Sequence, residues 1–153
     1  MKQISKRDVV LSQLAIAHLD NERPGSQPDP NAYNEPLKEL GIFNYEGVTP
    51  STLRLARIRL ALADKIYMSH DYYGLEMFAL AMYALAYRDA KAIIDIPEAN
   101  DVANTALKQF KSVSATVDHR CFIFHVADGF FQPVAEMAKA QNIVVGDTPK
   151  LTP

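Results

Sequence analysis

Apolar residues recur at intervals of three and four along much of this chain, the spacing of one helix face. After Pro97, the residues Ala99, Ala103, Ala106, Phe110, Val113 and Val117 are separated by four, three, four, three and four positions. The pattern predicts a helix over 98–116. A second stretch, TLRLARIRLALADKIYM, follows Thr49 and Pro50, an N-cap residue and a proline suited to the first helical position. Its expected core face is Leu53, Ala56, Leu60, Ala63 and Tyr67, widened by Leu55, Ile58, Leu62 and Ile66. Near the N-terminus, Ser5 and Asp8 form a variant capping box ahead of Val9, Val10, Leu14 and Ala17, which predicts a helix over 6–20. Pro133 opens a further helix running to about Gln141, with Asn142 as its C-cap.

The stretch between these helices follows a different rule. Met77 to Tyr87 is eleven residues without a charge, glycine or proline. It is apolar on every side, not along one stripe. A bilayer core of about 30 Å needs roughly 20 such residues, and eleven reach only about 16 Å. A short helix that is apolar all round belongs inside protein. Asp71 caps the expected helix, which runs over 71–95 until Pro97 stops it.

Other segments are less regular. Residues 20–36 hold Pro24, Pro28, Pro30 and Pro36 and few large apolar groups, so they read as a long loop. Leu37–Leu40 forms at most one turn before Gly41, and residues 148–153 read as a tail. Residues 121–126, within RCFIFHVA, suit either a strand or a helix. IVVGD at 143–147 has strand character. The expected fold class is mainly α: a single domain over 1–153, a bundle of about five helices around the apolar 71–95 helix, with room for one or two short C-terminal strands.

Composition narrows the function classes. Sixteen basic and eighteen acidic residues leave a net charge of −2, so no global field favours nucleic acid or an anionic membrane. The single cysteine, Cys121, excludes an intrachain disulfide and suits a reducing compartment, so a cytoplasmic location is expected. Cys121 sits in the apolar run CFIF and reads as a buried thiol, with a catalytic thiol near His119 and His125 as the alternative. The basic, then apolar N-terminus is interrupted by Asp8 and Ser12–Gln13 and has no small-residue cleavage pattern, which favours an amphipathic helix over a leader.

Three chemistries compete. Tyr72, Tyr73, Met77, Tyr83 and Tyr87 cluster in and before the apolar helix, and tyrosine and methionine are frequent at protein contacts as well as in cores. They are the expected partner-binding or core residues. VTPSTLRLARIRLA resembles the second helix of a helix-turn-helix. That resemblance implies phosphate and base-edge contacts from Arg54, Arg57 and Arg59, with Arg54 and Arg57 on one side and Arg59 elsewhere. The third set is His18, the adjacent His70–Asp71, and Asp89 or Asp128. A histidine, a His-Asp pair and a distant aspartate on helices resemble the HD-domain phosphohydrolases. The resemblance implies one or two metal ions held by His18, His70 and Asp71, and a metal-bound water attacking a phosphate ester. The competing reading of His70 and Asp71 is that one ends a helix and the other caps the next.

No Gly-rich phosphate loop, HExxH, paired CxxC or nucleophile elbow is present. The leading expectation is a small soluble helical binding protein without a catalytic centre or cofactor. Its partner is another protein or a second copy, and no membrane is involved.

Overall fold

A computed structural model describes residues 52–68, 75–117 and 131–146. They form four α-helices: α1 (Thr52–Met68), α2 (Leu75–Lys91), α3 (Pro97–Ser114) and α4 (Gln132–Ala140). Among the described residues there is no strand, so the protein is mainly α there. IVV at 143–145, expected as a strand, runs without regular structure. The expected helix at 6–20, the proline-rich loop, the 121–126 segment and the tail at 148–153 lie outside the described residues.

α2 packs against each of the other three helices, and α1 also meets α3. Met77, every residue from Ala79 to Ala86, and Ala90 are buried. An all-round apolar sequence thus meets protein on its several sides, as the length argument requires. Its many alanines allow close approach. Where α1, α2 and α3 come together near the C-terminal end of α2, the contact is made by Ala56, Ala90, Ala99, Ala103 and Val102. A larger core joins Ile58, Leu62 and Ile66 of α1 to Leu80, Tyr83 and Leu85 of α2, Phe110 and Val113 of α3, and Val134 and Met137 of α4.

Cross-helix contacts give the directions. Arg59 pairs with Asp89 and Asp64 with Tyr83, so α1 and α2 run antiparallel. Phe78 meets Phe131 with ring centroids 5.4 Å apart, while Tyr87 meets Gln141, so α2 and α4 run parallel.

The α3 stripe is buried at every expected position. Pro97 does more than end the preceding helix: it is the first residue of α3. Proline needs no N–H there, and it holds the preceding residue extended, so Ile96 sits at φ −83°, ψ 121° as the N-cap. α2 therefore ends at Lys91, and residues 92–95 form turns instead of completing the expected helix to 95. In α1 the buried face is rotated from the expected one. Ala56, Ile58, Arg59, Leu62, Ala63 and Ile66 are buried, while Leu53, Leu60 and Tyr67 are only partly so.

The end of α4 is a Schellman motif. The Asn142 N–H donates to the Lys139 carbonyl at 3.3 Å and the Ile143 N–H to Ala138 at 2.8 Å. Asn142 is thus one residue past the C-cap, Gln141, with φ 55°. Asparagine tolerates this left-handed conformation better than most residues. The chain then turns back, buries Val145, and the Gly146 N–H donates to the carbonyl of Ser114 at 2.7 Å. That bond satisfies the last carbonyl of α3, which has no partner within its own helix.

Candidate functional site

Among the described residues, an ion pair and a side-chain hydrogen bond cross the apolar boundary between α1 and α2. Arg59 lies in the buried stripe, three residues after Ala56 and three before Leu62, so its side chain is carried inward and is 2% exposed. Its Nη1 donates to Asp89 Oδ2 at 2.5 Å. Asp89 is 12% exposed and also accepts from Arg88 Nη2 at 3.1 Å, a half-exposed guanidinium. Further along the same boundary, the Tyr83 hydroxyl donates to Asp64 Oδ1 at 2.5 Å. Burial pushes the Tyr83 phenol far above its ordinary value, and the hydrogen bond and negative charge of Asp64 push it further the same way. Tyr83 keeps its proton throughout the physiological range. It is a structural donor, with neither the exposure nor the acidity of a proton-transfer group.

The other feature is a crevice between α2 and α4 of about 170 Å³. The short side chains of Ala84 on α2 and Ala140 on α4 leave space there. Ala84, Met137 and Ala140 supply apolar lining, with Pro133 from the first turn of α4 and the ring of Tyr87. Tyr87 is held in place: its hydroxyl accepts a hydrogen bond from Gln141 Nε2 at 3.0 Å, and Lys91 Nζ lies 5.8 Å from its ring centroid. Arg88 of α2 and Glu136 of α4 stand on opposite walls with opposite charge. The lining is chemically suited to hold an apolar side chain flanked by polar ones. It presents no nucleophile and base within reach of each other.

The residues expected to act fall into different places. Met77 and Tyr83 are enclosed by the chain's own helices, and Tyr87 is half-buried at the crevice. Tyr72 and Tyr73 lie outside the described residues. So do His18, His70, Asp71 and Asp128, whereas Asp89, the other aspartate of the expected metal set, is described and pairs with Arg59. Among the described residues no three His, Cys, Asp or Glu side chains come together as a candidate metal group. Of the arginines expected to meet nucleic acid, Arg54 and Arg57 are exposed on α1, whereas Arg59 faces the interior and holds Asp89. No helix of the described residues is long and apolar enough to cross a membrane.

Neither polar contact nor the crevice was anticipated from the sequence. Arg59 had a readable signal, because it interrupts an apolar stripe at helical spacing. The crevice had none, since it joins residues about fifty positions apart. Compared with protein-family models, curated proteins and solved structures, the chain has no significant match in any of the three.

Proposed function

We propose that this chain is a small helical binding protein with no catalytic centre, organised around α2 and meeting a protein partner at the crevice between α2 and α4. The observation that carries this reading is the crevice itself. It has an apolar lining, a fixed tyrosine, an adaptable methionine and oppositely charged walls. Tyrosine and methionine offer contact area at interfaces where lysine and glutamate alone do not. Among the described residues Met77 and Tyr83 are enclosed while Tyr87 is half-buried and Arg88 exposed, so the proposed contact lies toward the C-terminal end of α2. We take the partner to be a second copy of the chain, docked crevice to crevice across a two-fold axis, since an isologous contact uses the same surface on both copies. The lone cysteine supports a reducing, cytoplasmic setting.

The test is sedimentation velocity over a wide concentration range, on the wild type and on Ala140→Trp. Ala140 is exposed on the crevice edge, so the indole fills the opening without entering the core. Circular dichroism checks that the variant is folded. The wild type is expected to self-associate as concentration rises, and Ala140→Trp to stay monomeric. A wild type that remains monomeric at the highest concentration removes the second copy as partner. A variant that associates as well as the wild type removes the crevice.

A further inference from the structure

We draw no further inference here: the strongest candidate, the exposed isoleucine pair Ile94 and Ile96 on the turn joining α2 to α3, carries nothing because nothing in the structure shows what covers it.

Discussion

Asp89→Ala removes the carboxylate that accepts from both Arg59 and Arg88. The two contacts differ in worth. The Arg88 guanidinium is half exposed, so water replaces the lost partner at a cost of at most about 1 kcal/mol. Arg59 is almost fully enclosed, so water does not replace its lost partner. Removing one member of a buried pair costs about 3–5 kcal/mol, because the remaining charge is left in a medium that solvates it poorly. Two features place Asp89→Ala near the lower bound. Asp89 lies close enough to the surface for some water to enter, and Arg59 is engaged by a further group as well.

The expected loss is therefore about 3 kcal/mol. In a chain of this size each kcal/mol moves the thermal midpoint by roughly 2–4 °C, so the midpoint should fall by about 6–12 °C. Thermal and urea unfolding followed by far-ultraviolet circular dichroism measure it. The urea midpoint should drop with the slope unchanged, as expected when stability changes and the surface exposed on unfolding does not. Asp95→Ala is the control: that carboxylate is exposed in the turn after α2, and its removal should stay within about 0.5 kcal/mol. If Asp89→Ala shifts the midpoint no more than Asp95→Ala does, Arg59 is hydrated in solution and the enclosed α1–α2 boundary is refuted.

The buried phenol makes a pH prediction. Tyr83 is neutral in the folded chain far above the ordinary phenol value of 10.0, whereas the unfolded chain ionises there. The folded state thus holds one proton more than the unfolded state above that pH. Its stability is fully present below about 10 and falls by roughly 1.4 kcal/mol per pH unit above it. Tyr83→Phe should lower neutral-pH stability by about 1–2 kcal/mol through the lost donor to Asp64, and should flatten the alkaline slope. An ultraviolet titration in which all seven tyrosines ionise reversibly with the fold intact would contradict both. Gly146→Ala tests the segment after α4. At φ 83° a Cβ costs about 1–2 kcal/mol, and the buried position leaves little room for it. An unfolding midpoint equal to wild type would show that the Gly146 bond to Ser114 does not hold this segment in place.

How legible each element was follows from how many of its faces are apolar. α3 was read correctly because it has one apolar face and one polar face, so periodicity alone chooses the side that turns inward. α2 was legible for the opposite reason. It has no polar face between Met77 and Tyr87, and so must be enclosed. α1 falls between these cases. Leu53, Leu55, Leu60 and Tyr67 share it with Ile58, Leu62 and Ile66, so apolar side chains span most of its circumference and period alone selects no face. Packing against α2 chose the side that contains Arg59. The ends of the helices were misplaced by a few residues because prolines set them from outside: Pro97 begins α3 and shortens α2. The crevice depends on which faces of α2 and α4 meet, and no local pattern states how helices so far apart in sequence pack. The expected acting residues Tyr72, Tyr73, His18, His70 and Asp71 lie outside the described residues.

Arg59 within an apolar stripe bears on why these helices choose one register. Alanine-rich surfaces are smooth, and an α1–α2 contact built from alanine and leucine alone offers neighbouring registers of similar energy, one helical turn apart. The two polar contacts remove that degeneracy. They lie five residues apart on α1 and six apart on α2. That spacing lets both form together in one antiparallel alignment, and a slip of one turn leaves Arg59 and the Tyr83 hydroxyl buried without these partners. Replacing a buried ion pair by apolar side chains of similar volume is often neutral or stabilising, so the pair contributes more to uniqueness than to net stability. The double variant Arg59→Met/Asp89→Leu separates the two effects. It should recover the stability that Asp89→Ala loses, and its amide proton–nitrogen spectrum should show broadened or doubled resonances for α1 and the C-terminal half of α2. A spectrum as sharp and singular as the wild type's would mean that the apolar side chains, with Asp64 and Tyr83, already select the register, and that Arg59 is an incidental passenger in the core.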